Sequence, residues 1–349
     1  MFPRKSPTEL DHMPVITTTT NFRFDANTGI NLLDAASAAS LQLPYSCKTG
    51  RCGSCRCKVL TGHTHALLPE LGLTEQEKAE GWILSCARAA DTDLCIEVLD
   101  LGDLTFPPPR TLPCKINSLQ RLAPDVVGIQ LRLPPNSVFE FLPGQYIDII
   151  GKNGLCRSYS IANPRLPNNT LELHVRAMQD GEMTRYWFED AKPEDVLRLH
   201  GPLGTFILRA CSGMQLFFLA TGTGIAPIKA MLVALTKLPS EQQPESVTVL
   251  WGGRRQEDIY FDAQALIPTA RFTPVLSRAD DAWQGARGHV QDVLLAMQPD
   301  LSNAAIYACG SDAMIHAAKA ALLLAGLPAD QFYSDAFVCS AAPTPNEAK

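Results

Sequence analysis

The chain reads as a multidomain protein of three units in series: a small α+β unit rich in cysteine, an antiparallel β-barrel, and an α/β parallel sheet. Three observations point there. Cysteines crowd between Cys47 and Cys57. Short strand-like runs, several separated by Gly or Pro, follow through the middle of the chain. In the last third, apolar strands alternate with helical stretches, the pattern of a doubly wound parallel sheet. A length of 349 residues exceeds one ordinary core and leaves room for all three.

The expected boundaries are a flexible N-terminus over 1–13, the cysteine unit over 14–102, and a Pro-rich linker over 103–112. The barrel then spans 113–210, the parallel-sheet unit 211–340, and a flexible tail 341–349. The linker rests on Phe106-Pro-Pro-Pro-Arg110, because consecutive prolines keep a chain extended.

Composition excludes several classes. Apolar residues make up 46% and charged residues 19%, which does not fit wholesale disorder. The net charge is -6 and no long Lys/Arg run occurs, so no nucleic-acid partner is expected. No stretch approaches the ~20 apolar residues that span a bilayer, and the first residues lack the apolar core of a secretory signal. With 11 cysteines and no such signal, the sequence favours metal or redox chemistry in the cytoplasm over a disulfide framework.

Cys47, Cys52 and Cys55 form C-x4-C-x2-C, and Cys86 follows at a distance in Trp82-Ile-Leu-Ser-Cys86. This is the plant-type [2Fe–2S] spacing. Two irons need four thiolates, and Gly50 and Gly53 let backbone N–H groups turn toward sulfur. Structural zinc and buried free thiols are the alternatives; zinc sites usually show two short Cys/His pairs, and only Cys52–Cys55 has that spacing. Cys57 and Cys95 sit in strand-like runs and read as small packing residues. His63 and His65 read as a solvated loop. Thr74-Glu-Gln-Glu77 reads as a capping box opening a short helix.

In the barrel unit, Arg157-Ser-Tyr159-Ser160 closes a strand. Arg157 suits a phosphate, Tyr159 can lie against a flavin ring, and Ser160 can hydrogen-bond its N5. Leu173-His174-Val175-Arg176 follows, then Gly181-Glu-Met183-Thr184 ahead of a helical run, where a pyrophosphate could sit. Gly201-Pro-Leu-Gly204 reads as a tight turn. Each motif alone is weak, and their order and spacing carry the reading. His174 by itself reads as a strand residue facing away from chemistry.

In the last unit, Thr221-Gly222-Thr223-Gly224-Ile-Ala-Pro227 follows an apolar strand and opens a helix. Its glycines allow a diphosphate near the backbone, and Pro227 suits a first helical turn. Without a ligand, the same run is a glycine-rich strand–helix turn. Cys309-Gly310-Ser-Asp ends a later strand, where open α/β sheets bind ligands.

These motifs, in this order, resemble the ferredoxin–NADP reductase-like iron–sulfur flavoproteins with a fused N-terminal plant-type ferredoxin, over nearly all of 14–340. The resemblance implies a β-grasp ferredoxin domain, an FAD-binding barrel and an NAD(P)-binding domain. It implies metal ligation by Cys47, Cys52, Cys55 and Cys86. It also implies FAD held by Arg157, Tyr159 and Ser160, with the His174–Arg176 run in the cofactor-binding set and Gly181, Met183 and Thr184 near the pyrophosphate. The nicotinamide nucleotide would lie along Thr221, Gly222, Thr223, Gly224, Pro227 and Gly310. Cys309 would stand near the nicotinamide and Phe337 near the flavin ring, with Ser160 and Cys309 as the catalytic pair.

The expected function is that of an NAD(P)H-dependent electron-transfer reductase. Nicotinamide gives two electrons as a hydride and a [2Fe–2S] cluster takes one, so flavin stands between them. Electrons would then pass to a partner enzyme, a dehydrase or an oxygenase component. Pro113-Cys-Lys-Ile-Asn-Ser118, Phe141-Leu-Pro-Gly-Gln-Tyr-Ile147 and Ile306-Tyr-Ala-Cys-Gly-Ser311 look more like the CDP-6-deoxy-Δ3,4-glucoseen reductase branch than the oxygenase-reductase branch. Ser277-Arg278 suits a 2′-phosphate, Asp280 and Asp281 oppose it, and the resemblance favours NADH over NADPH. A monomer is expected. A bare ferredoxin-like electron carrier and a cofactor-free binding module are the readings from other classes.

Overall fold

The computed structural model describes residues 13–27, 29–98, 101, 104–151, 154–179 and 181–337. Nearly all of the expected N-terminal lead-in, the start of the expected linker and the segment 341–349 lie outside the described residues.

The first compact unit ends at Leu104. Its elements are β1 (Val15–Thr18), β2 (Arg23–Asp25), α1 (Leu32–Ala38), β3 (Arg56–Thr61), β4 (Thr64–Ala66), α2 (Glu75–Ala79), β5 (Trp82–Leu84), β6 (Arg88–Ala90) and β7 (Leu94–Glu97). A mixed sheet runs in the order β2-β1-β7-β3-β5, with β1 and β7 parallel and the other pairs antiparallel. Ile16, Leu32, Leu33, Ala36, Leu84 and Ile96 pack one core between this sheet and α1. Asn31 caps α1 by accepting from the Asp34 N–H at 2.8 Å. The Thr74–Glu77 capping box forms as expected, satisfying two amides at the start of α2. The expected loop at His63 and His65 is instead partly strand: β4 pairs with β6, and His65 Nδ1 meets Asp91 Oδ1 at 2.6 Å. Three residues carry too little periodicity to reveal a strand.

The second compact unit begins at Thr105 and contains both remaining architectures. Its barrel comprises β8 (Arg110–Ala123), β9 (Val126–Arg132), β10 (Tyr146–Ile150), β11 (Cys156–Ser160), β12 (Thr170–Arg176) and β13 (Val196–Leu203), with α3 (Glu182–Arg185) running into a π-helical turn, Tyr186–Asp190. The antiparallel order is β11-β10-β13-β8-β9-β12, and a bridge between Ile161 and Leu173 joins the two edges. β8 begins at Arg110, inside the expected linker, because Arg110 and Thr111 find partners in Gly201 and His200. The expected turn at Gly201 also belongs to a strand: Gly201 pairs with Arg110, and Leu203 with Tyr146.

The parallel sheet comprises β14 (Gln215–Thr221), α4 (Ile225–Leu235), β15 (Ser246–Gly253), β16 (Arg271–Leu276), β17 (Ala286–Arg287), α5 (Val290–Ala296), β18 (Ala304–Ser311), α6 (Asp312–Leu324) and β19 (Phe332–Phe337). Strand order is β17-β16-β15-β14-β18-β19, every pair parallel. The order reverses at β14/β18, so a crevice opens at the C-terminal ends of these two strands. Both faces are covered, and the central strands are therefore near-continuous apolar runs, Leu216–Ala220 and Ala304–Cys309.

Candidate functional site

The cysteine loop lies between α1 and β3. Gly50 has φ +73°, and a β-carbon there would fall 2.3 Å from the Pro69 carbonyl oxygen, so only glycine fits. This tight path aims donors at sulfur. The Thr49 N–H reaches Cys47 Sγ at 3.4 Å, and the Arg51 N–H also bonds it; the Gly50 N–H bonds Cys86 and the Ser54 hydroxyl bonds Cys52. Cys52, Cys55 and Cys86 are buried.

The four thiols meet as two pairs. Cys52 bonds Cys47, and Cys55 Sγ donates to Cys86 Sγ at 3.2 Å. The Cys52 hydrogen bond, ahead of the opposing effect of burial and with help from Thr49, lowers Cys47 to about 5 and pushes Cys52 up. Cys55 does the same to Cys86, whose thiol is lowered while that of Cys55 rises. Among the described residues no three His, Cys, Asp or Glu side chains close around one ion. Two thiol pairs ringed by hydrogen-bond donors fit the four thiolates that a [2Fe–2S] cluster would take. Cys57 stands apart, fully buried in the core of the unit, with its thiol pushed up to about 12 by burial.

In the barrel, β11 puts Arg157 and Tyr159 on one face, two residues apart. Arg157 donates to its neighbour's carbonyl, Cys156, at 2.7 Å, and has no carboxylate partner among the described residues. Tyr159 accepts from the Trp187 indole N–H at 3.0 Å, its ring edge-on to the indole at 6.1 Å. Burial pushes the Tyr159 phenol up to about 12, so it stays neutral. Ser160 is buried at the strand end. Gly181 caps α3, Met183 packs in the barrel core, and the Thr184 hydroxyl accepts from the Met178 N–H at 3.0 Å. A guanidinium with no carboxylate partner among the described residues, on the same strand face as a partly buried aromatic ring, suits a flavin with its phosphates.

His174, Val175 and Arg176 divide between two faces of β12. Val175 points into the barrel core. His174 Nε2 meets Glu172 Oε1 at 2.9 Å, and Arg176 Nε donates to Asp125 Oδ2 at 2.7 Å. His174 is thus part of a polar network instead of a plain outward strand residue.

At the switch point, Gly222–Gly224 forms a short 3-10 turn that leads into α4, with Pro227 in the first helical turn. The two strand-to-helix turns touch back to back. A β-carbon on Gly224 would lie 2.2 Å from the Cys309 carbonyl oxygen. The Thr221 hydroxyl accepts from the Ser311 N–H at 3.0 Å, and the Trp251 indole donates to the Gly222 carbonyl at 2.9 Å. Thr223 is buried in the turn. Cys309 has no exposed surface, and burial, with Asp335 nearby, raises its thiol. Phe337 sits at the end of β19 in register with Ser311, half open to solvent. Glycines at the N-terminal edge of a helix, at the strand C-termini, suit a dinucleotide diphosphate.

The matches to known proteins follow the same division. Residues 16–91 match the 2Fe-2S iron-sulfur cluster binding domain, 113–207 the oxidoreductase FAD-binding domain, and 218–320 the oxidoreductase NAD-binding domain. The chain is 39% identical over 313 residues to the CDP-6-deoxy-L-threo-D-glycero-4-hexulose-3-dehydrase reductase of Yersinia pestis, covering 88% of this chain and 93% of that protein. This chain belongs to the ferredoxin-fused iron–sulfur flavoprotein reductases. Another relative of the reductase is component 2 of the terephthalate 1,2-dioxygenase reductase of a Comamonas species, 30% identical over 90% of this chain and 94% of that protein. Among solved structures, the cytochrome P450 reductase of Amycolatopsis matches with TM-score 0.73 and 27% identity over 94% of this chain and all of that one. The ferredoxin reductase of carbazole 1,9a-dioxygenase matches with TM-score 0.67 and 26% identity over 94% of this chain and 99% of that one.

The reductase is therefore an NAD(P)H-dependent flavin and iron–sulfur oxidoreductase, with a [2Fe–2S] cluster, FAD and a nicotinamide nucleotide as its cofactors. No helix among the described residues is long and apolar enough to cross a membrane. Glu172, Lys229 and Tyr260 were not singled out from the sequence. Their relationship spans distant segments, and no local motif announces it.

Proposed function

We propose that this reductase delivers electrons from NADH to a sugar dehydrase acting on a CDP-linked 6-deoxyhexulose. The observation that carries this reading is the 39% identity to a dehydrase reductase, against 30% to a terephthalate dioxygenase reductase at similar coverage. A flavin, when bound, takes the two electrons of a hydride together and releases them singly. The protein's part is to hold and align.

In this reading Cys47, Cys52, Cys55 and Cys86 ligate the cluster. Arg157 pairs with a flavin phosphate, Tyr159 packs against the ring, and Ser160 hydrogen-bonds N5. The turn from Gly181 to Thr184 lies at the pyrophosphate. Thr221 to Pro227, with Gly310, form the nucleotide cradle. Cys309, being wholly buried, contributes through its backbone and packing, and Phe337 covers the ring. The Arg157 guanidinium bonds a backbone carbonyl and has no carboxylate partner among the described residues, which supports its phosphate role.

Reconstitution tests the partner. The purified reductase, NADH, a CDP-hexulose dehydrase and its sugar nucleotide should yield the deoxygenated sugar. A ring-hydroxylating oxygenase component with its aromatic substrate should turn over far more slowly. The reverse result favours the oxygenase reading, which the Comamonas relative supports. Cytochrome c reduction with NADH and with NADPH checks the nucleotide. Ser160→Ala should slow flavin reduction and leave iron content unchanged; unaltered stopped-flow flavin bleaching would remove Ser160 from the mechanism.

A further inference from the structure

Strand β12 has two working faces. Leu171, Leu173 and Val175 fill the barrel core, while Glu172, His174 and Arg176 share the other side. That side meets parts of the parallel-sheet unit. The Glu172 carboxylate accepts from Lys229 Nζ through both oxygens, at 2.6 and 2.7 Å, with only 25% and 21% of the two side chains exposed. Its Oε1 also meets His174 Nε2 at 2.9 Å, and Tyr260 Oη stands 3.2 Å from His174 Nδ1. Arg176 leans over the first glycine of the nucleotide turn, its Nη1 2.9 Å from where a β-carbon on Gly222 would lie.

The backbone of Glu172 is anchored at the opposite end of this chain of contacts. Its carbonyl accepts from the Ala162 N–H at 2.8 Å, and the neighbouring Leu173 bridges Ile161. Both partners directly follow Ser160. Lys229 is carried by α4, the helix that grows out of the Thr221–Gly224 turn. One ion pair therefore ties the segment after Ser160 to the helix behind the nucleotide turn.

We propose that Glu172 and Lys229 are positioning residues that set the spacing between the flavin strand and the nucleotide turn. This rests on the assignment of Ser160 to the flavin and of Thr221–Gly224 to the nucleotide. Hydride transfer is steep in donor–acceptor distance and angle, so a pair that holds both walls controls the rate once nucleotide is bound. It does not control whether nucleotide binds. Arginine at 229 can keep the contact; an apolar residue cannot.

The test uses the holoenzyme and stopped-flow flavin reduction over a range of NADH concentrations, with FAD and iron content measured for each variant. Lys229→Met and Glu172→Gln should each lower the saturating rate about tenfold or more, with an unchanged NADH dissociation constant and full cofactor content. Lys229→Arg should restore most of the rate. The Glu172→Gln/Lys229→Met double variant should be no slower than the worse single, because both remove one interaction. Additive losses, an unchanged saturating rate, or weaker NADH binding at a normal rate would overturn the proposal; the last would make Lys229 a phosphate ligand. Loss of FAD from Lys229→Met that Lys229→Arg does not repair would overturn it too. A wild-type protein whose flavin neither nucleotide reduces would instead sink the underlying functional reading.

Discussion

A β-carbon on Gly310 would fall 2.2 Å from the hydroxyl oxygen of Thr221. No real side chain tolerates that distance, and the φ of +137° at Gly310 also excludes ordinary residues. Two parallel strands thus end in turns pressed together, and Gly310 makes the contact possible. Gly310→Ala should force the turns apart and cut NADH-driven flavin reduction at least tenfold. Reduction by dithionite, which needs no nucleotide site, should be unaffected. Equal loss by both routes would mean the substitution damages more than the nucleotide turn.

The cysteines separate by environment. Cys86→Ser should abolish the visible cluster bands and most bound iron. Cys57→Ala should leave both intact and lower stability by about 1 kcal/mol, because it removes only a small buried apolar group. Iron and sulfide assays on the two variants check this; loss of iron from Cys57→Ala would contradict the four-cysteine assignment.

Tyr159→Phe leaves the Trp187 indole N–H without its acceptor in a half-buried site. The expected loss is about 1–2 kcal/mol of unfolding free energy, readable from urea titration followed by tryptophan fluorescence. An unchanged midpoint would show that water or another acceptor takes over.

The Glu172 carboxyl carries a pH signature. Burial pushes it up, but the hydrogen bond from His174 and the hydrogen bond and charge of Lys229 together outweigh burial and hold it at about 2, below the 4.5 of a free carboxyl. A depressed carboxyl stabilises the fold above its unfolded value and loses that contribution as pH falls toward the folded one. The stability difference between wild type and Glu172→Gln should therefore be full above pH 4.5 and shrink as pH falls toward about 2. Urea unfolding at pH 6 and pH 3 — values chosen on either side of that upper limit, roughly — measures it. A difference independent of pH would mean that His174 and Lys229 do not hold the carboxylate.

Much of the architecture is legible in local pattern. The run Gln215–Ala220 reads as a buried strand because both faces of a parallel sheet are covered, and β14 occupies Gln215–Thr221. The Thr74–Glu77 box marks its helix because capping is a contact over three residues. The strand at Thr64–Ala66 escapes because pairing with Arg88–Ala90, not its own composition, makes it a strand. The separate barrel and sheet units read from texture form one compact unit, since the polar face of β12 bonds into the parallel-sheet elements.

The amino-acid sequence alone determined the cofactor chemistry. Cysteine spacing, an Arg-x-Tyr-Ser strand end and a glycine turn before a helix are legible because each gathers its candidate side chains or glycines into a few consecutive residues, Cys86 alone returning from afar. Tertiary structure alone decided the partners of Glu172 and the contact of Gly310 with Thr221. The Glu172–Lys229 pair exists only after the barrel and the parallel sheet have packed, and the Gly310–Thr221 contact only after β14 and β18 have paired, because each joins segments far apart in the chain.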